Sequence, residues 1–230
     1  MTEIVLYGSP LSPFLRKSAA MLEEKGQPYE IEMVDVFNPP EWFVAISPLK
    51  TIPVLRDRSI AKEGPAGTIP DSSAQCGYIE RKYPAPVLYG ENAFAHGRAL
   101  WIEEFADTAL AAAGGLGIFR PLAFPAMQGK EPDVAKARET WAGKMPRFYD
   151  YLEQALTGRD WLAGESFSIA DISVAVQLMQ VTLVAEVDFA ARWPQLAAHL
   201  ERCRARGSFD AVYDKAERFV RRAMPERIRL

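Results

Sequence analysis

Apolar residues change their spacing along this chain, and the change divides it. In the first third they come as short runs and alternations. "EIVLY" (3–7) is an apolar run bounded by Gly8 and Pro10, which predicts a buried strand. A helix is predicted from Ser12 to about Lys25, with Gly26 as its stop. In "YEIEMVD", Tyr29, Ile31 and Met33 alternate with Glu30 and Glu32, the period of a half-exposed strand. "NPPEWFVAISP" carries turn residues with room for a short helical turn, and "TIPVLRD" reads as a strand that opens on a proline. The polar, glycine-rich "RSIAKEGPAGT" follows, then a helix from about Ser72 to Lys82, ended by Tyr83-Pro84. The predicted order is strand, helix, strand, strand, room for one more strand, helix.

"PAPVLYGEN" (84–92) reads as a linker, and everything beyond it as helix. "FAHGRALWIEEFADTALAAA" and "PDVAKARETWAGKMPRFYDYLEQAL" predict long amphipathic helices. "IADISVAVQLMQVTLVAEV" is apolar on most faces and predicts a central buried helix. Its start carries a capping box, Ser168 with Asp171, and a staple of Phe167 on Ile172. "GGLG" (114–117) resembles part of a dinucleotide loop but follows no strand, so a kink or close helix packing is expected. The expected fold class is α/β followed by all-α, with boundaries at 1–83, 84–92 and 93–230.

Composition narrows the function. The 230 residues are 49% hydrophobic and 25% charged with a net charge of −3, ordinary for a globular protein. No concentration of Lys and Arg suggests a nucleic-acid surface; the basic "RFVRRAMPERIRL" is expected to be a solvated helix end and tail. "MTEIVLYGSP" has neither a basic n-region nor a long apolar core, so no secretory signal is expected. No run of 18 uninterrupted apolar residues exists, so no membrane span is expected either. Cys76 and Cys203 form no CxxC, and reduced thiols in a cytoplasm are expected. His96 and His199 lack ligand-like spacing, and no metal site is expected.

Three segments carry candidate chemistry. Ser12-Pro13 gives an N-cap followed by proline at the first helical position. Capping alone accounts for that pair. The same hydroxyl, at the positive end of a helix beside free N–H groups, also suits an anion and can lower a bound thiol's pKa. In "TIPVL", Pro53 marks a strand edge or a bend. Only about 5–6% of X–Pro bonds in folded proteins are cis, so the segment by itself predicts trans. A cis bond would turn the Ile52 N–H and C=O outward toward an extended peptide. In "PDSSAQ", Asp71, Ser72 and Ser73 suit a helix start. They also suit the zwitterionic end of a small peptide, Ser72 and backbone N–H groups holding its carboxylate and Asp71 its ammonium.

Five stretches together resemble the cytosolic glutathione S-transferase superfamily: "LYGSPLSPFLRKSAAMLEEKG", "ISPLKTIPVL", "DSSAQCGYIERKYP", "WLAGESFSIADISVA" and "WPQLAAHLERCRARGSF". Their order and spacing span nearly the whole chain. The resemblance, to serine-type, bacterial-like members, implies a thioredoxin-like N-terminal domain and an all-helical C-terminal domain. It implies that Ser12 hydrogen-bonds the glutathione sulfur, with Ser9 as the weaker substitute and Tyr7 as packing. It implies a cis Pro53, with the Ile52 backbone paired to the cysteinyl part of glutathione, and Asp71 and Ser72 at its γ-glutamyl end. Cysteine-type members have a cysteine at position 12, so its absence argues against thiol–disulfide or dehydroascorbate reductase chemistry.

Three departures accompany the resemblance. Many members have Gly-Lys before the apolar-Pro pair, the lysine reaching the glycine carboxylate of glutathione; here Lys50 is shifted by one, with Thr51 between. The segment between Leu55 and Asp71 is longer than usual, and a loop overhanging the site is expected. Asp71 stands where glutamate is commoner. The implied activity is attack of the glutathione thiolate on a small apolar electrophile, in a cytoplasmic homodimer with glutathione as cosubstrate and no metal. Trp101, Phe105, Phe119 and Phe124 are the candidates for the electrophile's apolar wall, though each also suits ordinary core. A binding module with an idle site, and a glutathione-dependent isomerase or peroxidase, are the alternatives.

Overall fold

In the computed structural model, which describes residues 2–230, the chain divides between Val87 and Leu88 into two units, inside the stretch read as a linker. The first unit contains β1 (Ile4–Gly8), α1 (Pro13–Glu24), β2 (Tyr29–Met33), α2 (Glu41–Ile46), β3 (Val54–Asp57), β4 (Thr68–Ile69) and α3 (Ser72–Lys82). The strand order is β2-β1-β3-β4. β1 and β2 are parallel, which requires the crossover that α1 supplies; β1–β3 and β3–β4 are antiparallel. This small mixed sheet with its helices is the thioredoxin-like arrangement.

β1 is buried at every position because both its faces are covered. Val5 and Tyr7 join Val34, Phe43, Ile46 and Val54 in one cluster, with Ile52 packed against it. Residues of opposite parity, Ile4 and Leu6, point the other way. α1 packs on α3, and Leu15, Met21, Leu22 and Ile79 are fully buried. β2 keeps its predicted place but not its predicted alternation, since Met33 is exposed.

The second unit holds α4 (Ala93–Phe105), a π-helical stretch (Ala106–Phe119) and α5 (Arg120–Met127), then α6 (Val134–Gly143), α7 (Met145–Ala155), α8 (Ile169–Thr182), β5 (Ala185–Glu186), α9 (Pro194–Arg204), α10 (Asp210–Ala223) and β6 (Ile228–Arg229). α8 is buried from Ile169 to Val181 and packs on the π-helical stretch and α4. Two of the "GGLG" glycines, Gly114 and Gly117, serve close helix packing. A Cβ on Gly117 would lie 2.5 Å from Thr140 Cγ2, and one on Gly114 would lie 3.2 Å from Val181 Cγ2.

Several expectations for this unit are corrected. The helix predicted across 132–156 is two helices, because Pro146 near the start of α7 has no N–H for the preceding turn. The unit is helical except for β5 and β6, which pair in parallel, Ala185 with Ile228 and Glu186 with Arg229. The basic tail is solvated only in part: Arg218, Arg222, Arg227 and Arg229 are exposed, but the tail is also docked. Arg227 Nε donates to Thr182 O at 2.7 Å, and Arg221 donates to the carbonyls of Leu183 and Met224. These cations meet the carbonyl end of α8, where a helix favours positive charge. The continuous helix Ala93–Met127 is long and apolar enough to cross a membrane by length and composition, which the run-length criterion did not register. Its Ile102, Leu110, Ile118 and Leu122 are buried core positions of this unit.

Candidate functional site

The candidate residues of the first unit gather where three chain turns meet at one end of the sheet. The first turn joins β1 to α1. Ser12 is the N-cap of α1, extended at φ −76° and ψ 122°, with Pro13 following. Its Oγ accepts the Leu15 N–H at 3.4 Å, a long bond that leaves the hydroxyl proton free to donate elsewhere. Ser9 Oγ accepts the Leu11 N–H at 3.3 Å, and Ser9 O accepts the Ser12 N–H at 2.9 Å. Ser9 thus braces the turn that presents Ser12.

The second turn leads into β3. The Ile52–Pro53 bond is cis, so the trans geometry predicted from the segment alone is corrected and the geometry implied by the resemblance is found. Close approach surrounds it: a Cβ on Gly8 would lie 2.8 Å from Leu15 Cδ1 and 3.2 Å from Ile52 Cβ. Gly8 therefore lets α1 and the Ile52 turn come together over the end of β1. Upstream, the buried Ser47 shapes the turn; its Oγ accepts the Thr51 N–H at 3.1 Å and donates to Thr51 O at 2.8 Å. Lys50 sits in that turn at φ 53°, a left-handed conformation uncommon for lysine, with its side chain exposed.

The third turn starts α3. Asp71 is its N-cap and accepts the Ala74 N–H at 2.8 Å, while Ser72 is buried and Asp71 exposed. Ties from α3 reach both other turns. Gln75 Nε2 donates to Pro53 O at 2.9 Å, and the fully buried Lys17 of α1 donates to Ser73 Oγ at 3.0 Å. The turns that carry Ser12, Ile52, Pro53, Asp71 and Ser72 are therefore tied largely by residues outside those five, with Pro53 O the acceptor of one tie. Nothing in the sequence singles out Gln75 or Lys17; their only signal there is a polar residue in a helix that packs on a core.

Two neighbouring expectations resolve differently. Tyr7 is packing, and its hydroxyl is occupied: it accepts Arg56 Nε at 3.2 Å. The long segment after β3 does not overhang the three turns. It closes at the Asp57 end of β3, away from Pro53, where buried Arg56 donates to the carbonyls of Ala61, Gly64 and Ala66 at 3.1, 2.8 and 3.3 Å. Also at that end, burial would push the Asp57 carboxyl up. Hydrogen bonds from Lys82, Ser59 and Tyr78 overcome this and hold it well below the usual carboxylate range. Tyr78 is pushed up to about 12 by burial and by Asp57.

In the second unit the four aromatic candidates do not form one wall. Trp101 is exposed and donates to Tyr151 OH at 2.7 Å, with Phe105 tilted against both rings and edge-on to Phe148. Phe119 is core, edge-on to Phe124. The capping residues meet as expected, and a further partner joins them. Asp171 accepts the N–H groups of Leu162 and Ser168, both at 2.9 Å, the Ser168 hydroxyl at 3.0 Å and His199 Nε2 at 2.8 Å, all buried. No group of three or more metal-ligating side chains occurs among the described residues.

Comparison with known proteins agrees with this architecture. The profile of the glutathione S-transferase N-terminal domain matches residues 6–87, and that of the C-terminal domain matches residues 135–202. Glutathione S-transferase 3 of Zea mays is 31% identical over 182 residues, covering 76% of this chain and 77% of that protein. The chain belongs to the glutathione S-transferase family. A glutathione S-transferase from Rhodospirillum rubrum superposes with a TM-score of 0.78 at 26% identity, covering 91% of both chains. The probable glutathione S-transferase DHAR1 of Oryza sativa is 42% identical over 76 residues. That match spans a third of this chain and a third of the relative's length.

Proposed function

We propose that the protein is a serine-type glutathione transferase in which the Ser12 hydroxyl stabilises the thiolate of bound glutathione. The observation that carries this reading is a hydroxyl at the N-terminus of α1 that donates to no group among the described residues, beside the cis Ile52–Pro53 turn. Pairing with the Ile52 backbone orients the cysteinyl residue, and Asp71 and Ser72 hold the γ-glutamyl ammonium and carboxylate. Lys50, whose ammonium has no partner among the described residues, meets the glycine carboxylate from the rim. A thiol with a pKa of about 8.5 is about 3% ionised at pH 7; lowering it by about two units makes it about three-quarters thiolate. The thiolate then attacks a small apolar electrophile: the new carbon–sulfur bond takes the thiolate's electron pair, and the electrophile's leaving group departs with the pair of the bond it breaks.

Cytoplasmic location, a detoxifying role and a homodimer belong to the same proposal, the last measurable by analytical ultracentrifugation. The test of the site is retention on immobilised glutathione, elution by free glutathione, and turnover of an aromatic halide. An idle binding module would be retained without turnover. A protein that neither binds glutathione nor conjugates it would refute the proposal.

A further inference from the structure

Gln75 makes three hydrogen bonds from a position with no solvent exposure. Its Nε2 donates to Pro53 O at 2.9 Å and to Ile69 O at 2.8 Å, and its Oε1 accepts from Ser18 Oγ at 2.7 Å. The reversed amide would set an oxygen against two carbonyl oxygens, so its neighbours dictate this orientation.

The two carbonyls lie where the pairing of β3 with β4 ends. β3 and β4 pair through Leu55↔Ile69 and Arg56↔Thr68. One step further the ladder meets Pro70 on one strand and, beyond Val54, Pro53 on the other. The ladder stops there, and the Gln75 amide binds a carbonyl at the end of each strand, Pro53 O on one and Ile69 O on the other. One side-chain amide closes both. Through Ser18 it also holds α1, the helix that begins at Ser12. Lys17, beside Ser18, makes the second tie from α1 to Ser73.

We infer that Gln75 is a positioning residue for the glutathione site. It touches no substrate. It fixes the spacing between the turn carrying Ile52 and Pro53, the start of α1, and the strand end that leads through Pro70 to Asp71 and Ser72. A tripeptide held at its sulfur by one turn and at its γ-glutamyl end by another binds well only when that spacing is constant. This inference rests on the proposed function.

The test uses the full chain, with calorimetric titration of glutathione and steady-state kinetics. Gln75→Leu removes both donors and is expected to raise the Kd and KM for glutathione at least tenfold, with kcat at saturating glutathione changed less than threefold. Asp171→Asn, distant from the three turns in sequence, is expected to lower thermal stability with Kd unchanged, which separates positioning from general destabilisation. Ser18→Ala keeps both donors and frees only the amide's other end, so a rise of about threefold in Kd is expected. Should Gln75→Leu fail to fold, Ser18→Ala decides. A folded Gln75→Leu with Kd within twofold of the parent overturns the inference, as does an unchanged Ser18→Ala in the fallback case. In both cases binding by the parent leaves the proposed function standing. If the parent protein binds no glutathione, both fall.

Discussion

Replacing Ser12 with alanine separates its two roles, because the roles differ in size and in pH dependence. As a cap, its bond to the Leu15 N–H is 3.4 Å long, beyond the usual N–H···O range, so its loss costs about 0.5 kcal/mol, the low end for an N-cap. As a donor to a thiolate, it makes a charge-assisted bond worth about 1.5–3 kcal/mol. At 1.36 kcal/mol per pKa unit, that loss raises the bound thiol's pKa by about 1–2 units. The Ser12→Ala rate should therefore fall about 10- to 100-fold below the parent thiol's pKa and converge on the parent at alkaline pH, where both thiols are ionised. The assay is kcat/KM for an aromatic halide across pH, alongside titration of the bound thiolate by its ultraviolet absorbance. Ser9→Ala is the comparison and should leave the midpoint in place. A Ser12→Ala profile with an unshifted midpoint, whatever its height, would show that this hydroxyl does not act on the sulfur.

Three further outcomes are expected. Asp171→Ala strands four buried donors and should destabilise the protein by about 3–5 kcal/mol in urea unfolding, while a loss under about 1 kcal/mol would contradict the network. Asp57 is held below the usual carboxylate range when folded, so the stability it supplies is complete above its unfolded pKa of about 4 and drains away as pH falls further. Unfolding free energies measured from pH 7 to pH 2.5 should fall less steeply in Asp57→Asn than in the parent, and equal slopes would exclude the linkage. Gly117→Ala should cost about 1–3 kcal/mol through its clash with Thr140, and Thr140→Ala should restore most of it. Strict additivity in that double-mutant cycle would show that the two residues do not meet.

Local chemistry wrote much of the architecture into the chain. Ser12-Pro13, Asp71 before Ser72, and Ser168 with Asp171 each announce a helix start, because capping is decided within four residues. The apolar run of β1 and the all-round apolarity of α8 announce burial for the same reason: the pattern is carried by consecutive residues. Other features belong to contacts made across long sequence separations. The Ile52–Pro53 bond is cis although its local preference is trans, a preference of under about 1 kcal/mol that packing can override. The tail's arginines are largely exposed, as their composition announces, but its docking depends on acceptors offered by β5 and the end of α8. Gln75 looked like any helical glutamine, since the two carbonyls it serves lie 22 and 6 residues away. A motif names the groups that do chemistry, but the spacing between those groups is a property of packing, and packing exists only once the separate turns have been brought to one place.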